Sequence, residues 1–586
     1  SKRAELGDFQ SNAAMPLAKR LGMKPRDLAA AIVEKLDVAD LCEPVTEADI
    51  AGPGFLNFRL KPEALSTLLD RLDTPDLGLP APAEPQTIVI DVCGVNLAKQ
   101  MHVGHLRATV IGDTLARTFE RLGESVIRQN HVGDWGLPIA MVTRKIQLEL
   151  DAGRLALNAL TLDDLDRLYR AAQFECSGQG KALEIAEKYS LGPKVDAELR
   201  AQHEEAMEHL AEAKQTLVAL QRHEPEVFTI WKRIYEVTMG ACLEACEILH
   251  TRITEADNAG ESSYSEELVQ VVEDLTARNI AEEHDGALLI RLDSAEDGKI
   301  AQPCLIRKCD GGYLYATTDI AAIRRRVQTL GADRVIYTVD ARQRLHFRQV
   351  FAASRKAGYA TKPGADVPSV LEHAAFGTVL GNDGKPFKTR SGENVRLCDL
   401  LDEAVERAAT TVATKNPDLA ADERATIAKA VGIAAIKYAD LSSERIKDYV
   451  FNFDRMLAFE GNTGPYLLYA LVRTRSVFRK AEEAGVPLNH ADAPIVISEP
   501  AEKALALELL RYPSAVQSVA SLLEPMRLCG YLYNLAGAYS SFYDACPVLR
   551  AETDDLRRSR LRLCALTARV LEDGLEVLGL PTVERM

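Results

Sequence analysis

The run Thr87-Ile-Val-Ile-Asp-Val92 constrains the fold more than any other segment of the chain. A short, continuous β-branched run reads as a strand buried on both faces, the habit of a parallel sheet. After a loop, apolar residues recur at Leu106, Val110, Ile111, Leu115, Phe119 and Leu122, which predicts a helix that stops at Gly123. Residues 125–129 read as a second strand. A strand, loop, helix and strand in this order predict a doubly wound parallel sheet, with ligands bound beyond the carboxyl ends of the strands.

Strand patterns return at 286–292, 303–308, 313–316 and 334–339, so the parallel sheet is expected to resume there. Residues of about 141–250 carry charged helical patterns and read as a helical insertion. Residues 1–74 read as a small N-terminal α/β domain, with helices at 12–21 and 25–36 and a strand at 54–60. Pro75, Pro80, Pro82 and Pro85 mark a linker over 75–85. The expected architecture is α/β: a Rossmann-like parallel-sheet domain with insertions over 86–445, followed by an all-helical C-terminal domain over 446–586.

Composition adds exclusions. Of 586 residues 47% are hydrophobic and 27% charged, the balance of a globular protein with a large core. No apolar run approaches the roughly 20 residues of a membrane helix. The eleven cysteines include no CxxC pair and suit a reducing cytoplasm. Cys242, Cys246 and His250 share one helical face, a spacing that could hold a metal. The same face with Leu249 and Ile253 reads as a buried stripe, because free cysteine packs as a small hydrophobe. The stripe is expected, with no metal site and no structural zinc. The net charge of −16 opposes a polyanionic partner only weakly, since binding depends on local patches. Arg557, Arg558, Arg560, Arg562 and Arg569 form one such patch, or else a solvated helix face.

Two motifs carry chemistry. His102-Val-Gly-His105 lies where the first strand's loop enters the first long helix. Gly104 lets a nucleotide approach the backbone, the helix start attracts phosphate, and imidazole donors stabilise charge on an α-phosphate. The pattern suits an ATP site of His102, Gly104 and His105. The second motif is Gly377-Thr-Val-Leu-Gly-Asn-Asp-Gly-Lys-Pro-Phe-Lys-Thr-Arg390, a tight turn that presents Lys385 and Lys388 as point charges for phosphate. HVGH alone also fits a small-molecule nucleotidylyltransferase, which leaves the long helical C-terminal half unexplained.

Together HVGH and KPFKT resemble the paired HIGH and KMSKS signatures of class I aminoacyl-tRNA synthetases. The segment Asn96-Leu-Ala-Lys-Gln-Met-His-Val-Gly-His-Leu-Arg107 is similar to the extended signature of the bacterial arginyl-tRNA synthetases. So are Gly133-Asp-Trp-Gly136, Tyr313-Leu-Tyr-Ala-Thr-Thr-Asp-Ile-Ala-Ala322, Phe459-Glu-Gly-Asn-Thr-Gly-Pro-Tyr466 and Val583-Glu-Arg-Met586. The resemblance implies ATP-dependent joining of L-arginine to tRNA(Arg), with His102, His105, Lys385, Lys388 and Lys99 catalytic and ATP contacted by His102, Gly104, His105 and Lys388. It implies that Asp91, Tyr315, Asp319 and Gln343 recognise the arginine side chain and that Asn96 holds its amino and carboxylate end. Two carboxylates facing one guanidinium would discriminate against neutral amino acids, and Asp319 also reads as a helix N-cap. The resemblance further implies Mg2+ accompanying ATP and arginine activation that needs bound tRNA. It gives the basic helix (Arg557, Arg558, Arg560) and the terminal Arg585 and Met586 to tRNA contact. A monomeric cytoplasmic enzyme is expected, with an N-terminal domain that lacks its first few tens of residues.

The chain departs from the family at two places. Cys93-Gly94-Val95 replaces a loop that usually carries a serine and a proline, and Leu137-Pro-Ile-Ala140 replaces a polar Thr-Gln-Phe-Gly stretch. A thiol for a hydroxyl weakens a hydrogen bond, and a lost proline leaves the loop less preorganised. A catalytically weakened paralogue that binds tRNA or regulates is the alternative these changes raise.

Overall fold

A computed structural model of the chain describes residues 6–292, 300–309, 311–387 and 395–586. The chain forms two compact units, one of residues 82–457 with 579–581 and the other of 1–81, 458–578 and 582–586.

The first unit is built on the strand Thr87–Val92, whose Ile88, Val89 and Ile90 are fully buried. It sits inside a parallel sheet, with Ser125–Asn130 on one side and Arg334–Tyr337, then Val370–His373, on the other. The register puts Asp91 level with Gln129 and Tyr337, near the carboxyl ends of the central strands. The helix Val103–Arg121 packs on the sheet and is buried on nearly every side from Leu106 to Phe119. Close packing needs Gly112, because a Cβ there would lie 2.7 Å from Cγ1 of Val92. The charged groups that the burial traps are paired: Asp113 with Arg117 at 2.7 Å and Arg107 with Asp440 at 3.1 Å. Unpaired, each would be strongly destabilising.

The strand patterns at 286–292 and 303–308 do form strands, Ala287–Ile290 and Cys304–Arg307, but outside the parallel sheet. With Glu282–His284 they make a separate antiparallel sheet. Residues 313–316 do not form a strand. Leu314 starts the helix Tyr315–Arg324, whose Thr317 hydroxyl donates to the Ile306 carbonyl at 2.5 Å. The helical insertion comprises Leu137–Asp151, Leu162–Glu175, Gly180–Lys188, Pro193–Gln221 and Pro225–Ile248. Residues 446–457 also belong to this unit rather than to the C-terminal helices, because Tyr449–Val450 pairs in parallel with Val379–Leu380 at the base of the lysine loop.

In the second unit, Phe9–Ser11, Phe55–Phe58 and Ile50–Ala51 form an antiparallel sheet beside the helices Ala14–Leu21 and Pro25–Val33. Leu65, on the helix Pro62–Leu72, shares a core with Cys42 and Leu60, against which Ile497, Leu507 and Leu510 pack. The expected linker is therefore not free. Leu77 and Leu79 are buried, and the unit boundary falls at residues 81 and 82. The motif around Thr463 starts the helix Gly464–Glu483: the Thr463 hydroxyl accepts from the Tyr466 N–H at 3.3 Å, and Pro465 occupies the first turn.

Candidate active site

The two histidines of HVGH cap the helix Val103–Arg121 reciprocally. Nδ1 of His102 accepts from the Gly104 N–H at 3.0 Å, and Nδ1 of His105 accepts from the His102 N–H at 3.1 Å. A neutral imidazole whose Nδ1 accepts carries its proton on Nε2. The cap thus leaves both rings with an Nε2–H to donate. The ring centroids are 4.1 Å apart. Burial, reinforced by His102 and Lys99, pushes His105 down to about 3. Burial and then the Lys99 charge also lower His102. Both rings stay neutral at physiological pH, so they act as hydrogen-bond donors rather than as general acids. Gly104 is needed here, since a Cβ would lie 2.6 Å from the His102 ring.

The loop between strand and helix is pinned despite its missing proline. Gly94 N–H donates to Oδ1 of Asn130 at 3.1 Å, Ala98 N–H to the Thr238 hydroxyl at 3.1 Å, and Leu97 N–H to the Gly133 carbonyl at 3.1 Å. These bonds hold Cys93, Gly94 and Ala98 at positive φ of 66°, 70° and 60°. They take over the ordering that a proline would supply. Asn96 is exposed, and its Oδ1 lies 2.1 Å from where a Cβ at position 133 would stand, so a side chain at 133 would displace the Asn96 carboxamide. Lys99 rests its ammonium 4.5 Å over the Tyr169 ring.

The lysine loop begins as a hairpin. Gly381 N–H donates to the Lys385 carbonyl at 2.8 Å, and Phe387 stacks on Phe451 with centroids 5.0 Å apart. Lys385 is exposed at its tip, whereas Lys388 lies outside the described residues. The chain beyond the loop returns to the histidines: Val103 N–H donates to the Val395 carbonyl at 3.1 Å and Leu397 N–H to the Met101 carbonyl at 2.9 Å. Arg107, two residues after His105, is buried and donates to the Gly377 carbonyl at 2.8 Å and the Lys447 carbonyl at 3.2 Å. The two signature elements are thereby joined at both ends of the lysine loop.

Carboxylates gather near the strand ends. Asp91 is buried, and one of its oxygens accepts from Nη2 of the chain's own Arg326 at 2.7 Å. Arg326 also donates to Gln129 at 2.6 Å and stacks over Tyr337. An internal guanidinium therefore holds one side of the Asp91 carboxylate. Asp319 accepts from Nε2 of His346 at 2.6 Å and lies within electrostatic reach of Glu261. Glu261 was not legible as a site residue. Burial, then Asp134 and Asp319, push its carboxyl up to about 8. Its segment is folded against Asp134, which accepts from the Ser262 N–H at 2.8 Å and the Ser262 hydroxyl at 2.6 Å. Only the Gly260-Glu-Ser run in an aperiodic stretch could have hinted at it. Tyr315 is 68% exposed, with its phenol raised by burial of the hydroxyl and by Glu261. Gln343 is exposed in the turn Ala341–Gln343. Among the described residues the hydroxyl of Tyr264 and Nη1 of Arg326 are buried without a hydrogen-bond partner.

The arginine-rich helix, Asp554–Val577, is mostly not a free cationic face. Arg560 is buried in an ion pair with Glu502 at 2.7 Å. Arg562 pairs with Asp73 at 2.8 Å, and Arg569 with Asp73 at 2.5 Å. Arg557 pairs with Asp554, and Arg558 donates to the Asn489 carbonyl at 2.9 Å, both half-buried. Spacing alone showed the stripe but not these partners, which are distant in sequence. Arg585 is exposed beyond a terminus fixed by Arg475, which donates to the Val583 carbonyl at 2.9 Å, and Met586 is half-buried. Of the metal-type face on Pro225–Ile248, Cys242 and Cys246 are buried as expected. His250 instead places Nδ1 3.3 Å from the Gly579 carbonyl.

A parallel sheet with capping histidines on its first turn and a lysine loop laced back to them defines the catalytic half of a class I aminoacyl-tRNA synthetase. The family described as tRNA synthetases class I (R), catalytic domain, matches residues 72–453. The DALR anticodon binding domain matches 467–586, and the arginyl tRNA synthetase N terminal domain matches 1–60. Over 99% of this chain and 93% of the relative, the sequence is 46% identical to an arginine–tRNA ligase of Pseudomonas syringae pv. tomato. The arginyl-tRNA synthetase of Plasmodium falciparum superposes with a TM-score of 0.78 at 25% identity, covering 100% of this chain and 94% of that one. That of Thermus thermophilus gives 0.76 at 26%, covering 99% and 94%. The chain belongs to the arginyl-tRNA synthetase family. No helix among the described residues is long and apolar enough to cross a membrane.

His105→Ala breaks one half of the reciprocal cap and removes one donor. It should cost about 1 kcal/mol of stability and slow adenylate formation by about 10²–10³-fold. His105→Asn, whose side-chain oxygen can accept from the same N–H, should restore the stability and only part of the rate. Denaturant unfolding and pyrophosphate exchange read the two effects separately, and equal losses in both variants would contradict the assignment.

Glu261 gives a pH signature. Between its ordinary value of 4.5 and about 8, the folded chain holds a proton that the unfolded chain has lost. Stability contributed by this group therefore falls as pH rises through that window. In Glu261→Gln, the unfolding midpoint between pH 5 and 8.5 should fall less steeply than in the unsubstituted chain. An unchanged slope would contradict the burial assigned to this carboxyl.

Proposed function

We infer that this chain is an arginine–tRNA ligase that converts ATP, L-arginine and tRNA(Arg) to arginyl-tRNA, AMP and diphosphate. The observation that carries the reading is that the strand Thr87–Val92 bears the buried Asp91 carboxylate near its carboxyl end and leads through one loop to two neutral Nε2–H donors, while the half-buried Asp319 and Glu261 lie within electrostatic reach of each other. The arginine carboxylate attacks the α-phosphorus of ATP, diphosphate leaves, and a hydroxyl of the tRNA's terminal adenosine then takes the arginyl group from AMP. His102 and His105 donate to the phosphate as charge grows on it, and Lys385, Lys388 and Lys99 supply positive charge. Gly104 leaves room for the nucleotide.

Asp319, Glu261 and the free side of Asp91 face the substrate guanidinium, aided by Tyr315 and Gln343, while Asn96 holds the α-amino and carboxylate end. A cation arriving beside Glu261 favours its ionised form, so arginine binding near neutral pH is coupled to proton release. Magnesium accompanying ATP would supply positive charge against its phosphates. Among the described residues the close group of metal-type side chains is sulfur, the wrong donor for a hard cation. The helical C-terminal unit binds tRNA, with Arg557, Arg558, Arg585 and Met586 as candidate contacts. The enzyme works as a cytoplasmic monomer.

Charging of total tRNA with radiolabelled arginine, lysine or citrulline tests the reading. Citrulline matches arginine in shape but would leave the pocket carboxylates unpaired, so it should be charged about 10⁴-fold less efficiently. Charging with lysine or citrulline at the arginine rate, or no charging at all, would overturn it.

A further inference from the structure

We propose that Cys93, Cys242 and Cys246 form a binding site for a soft divalent cation of the zinc class, which staples the substrate-binding loop to the helical insertion. The cysteines come from two separate elements. Cys93 lies in the loop between Asp91 and Asn96, while Cys242 and Cys246 stand one turn apart on Pro225–Ile248. All three are buried, at 3%, 1% and 0% exposure, and their sulfurs lie within 4.8 Å of one another. Sγ of Cys93 is 3.8 Å from Sγ of Cys242. Two thiolates on one zinc, each about 2.3 Å away at a tetrahedral angle, stand about 3.8 Å apart. Among the described residues no other group of histidine, cysteine and carboxylate ligand atoms converges in this way.

Cysteine packed as an ordinary small hydrophobe explains Cys242 and Cys246 as part of a helical stripe. It does not explain Cys93, which comes from a separate element, the loop after the strand Thr87–Val92, where the backbone takes a φ of +66°. That conformation brings the third sulfur to the other two. Sulfur donors select zinc-like ions over magnesium or calcium. On binding, three thiol protons leave and three metal–sulfur bonds form, with no change of oxidation state. A water molecule completes the tetrahedron. The occupied site ties the residues flanking Asp91 and Asn96 to the insertion helix, adding to the hydrogen bond from Ala98 to Thr238.

The test is titration of the full, reduced chain with Co2+, a coloured stand-in for zinc. One equivalent should give thiolate-to-cobalt charge-transfer absorption of the strength of three sulfur ligands, bleached by one equivalent of Zn2+. Cys246→Ala and Cys242→Ala should lose the three-sulfur spectrum while still charging tRNA, and Cys398→Ala, at an exposed cysteine, should keep it. If the buried-site variants fail to fold, the spectrum of the unsubstituted chain decides. No charge-transfer absorption, a strength of fewer than three sulfurs, or a spectrum unchanged in the folded Cys246→Ala chain would overturn the proposal.

Discussion

Arg107 is the interaction on which the catalytic unit depends. It follows the second histidine by two positions, so its place on the buried helix is fixed by the same cap that fixes the imidazoles. Its guanidinium reaches Asp440 on the helix Ala421–Leu441, the Gly377 carbonyl at the root of the lysine loop and the Lys447 carbonyl just before Tyr449–Val450. The rings of Phe376 and Tyr449 flank it. Three stretches distant in sequence thus meet on one planar cation. A buried ion pair is a weak source of stability compared with apolar packing, yet breaking it from one side costs about 3–5 kcal/mol. Its value here lies in registration. Nη1, which donates to the Gly377 and Lys447 carbonyls, sets where the lysine loop starts relative to the histidines.

The same economy of charge runs through the site. Burial holds the histidines further toward the neutral form than water would, and the cap directs their protons outward. Glu261 is held largely protonated near neutral pH by burial and by two carboxylate neighbours. Both groups are poised by the low polarity around them, and a cationic substrate changes that environment when it arrives. Asp91 shows the complementary solution, being satisfied in advance by Arg326. The buried guanidinium of Arg326 thus ties together the strand ends Asp91, Gln129 and Tyr337.

Local chemistry made much of this legible in the sequence. The run at Thr87–Val92, the helix after it and the two histidines at its start are all defined by short-range pattern, and the structure keeps them. Partners distant in sequence were not legible. The helix around Arg560 reads as a cationic face until Glu502, 58 residues away, is found beneath it. Residues 75–81 read as a proline-rich linker because spacing cannot reveal that Leu77 and Leu79 are covered. Strand patterns at 286–292 and 303–308 located strands but not the sheet they join, since pairing direction is a property of the connection and not of the strand. Glu261 stayed hidden because a carboxylate in an aperiodic stretch looks like any surface acid. Cys93 looked like a weakened hydrogen bond, and its two sulfur neighbours come from a helix 149 and 153 positions further on.

The most direct test of this registering role is a double-mutant cycle across Arg107→Met and Asp440→Leu, read by denaturant unfolding and by arginine-dependent pyrophosphate exchange with tRNA present. Each single variant leaves the opposite charge buried without its counter-ion, and the double variant replaces the pair with apolar groups of similar size. Stability should return in the double variant while exchange stays well below that of the unsubstituted chain, because the Gly377 carbonyl no longer has its donor. Full recovery of exchange together with stability would contradict a registering role for Arg107.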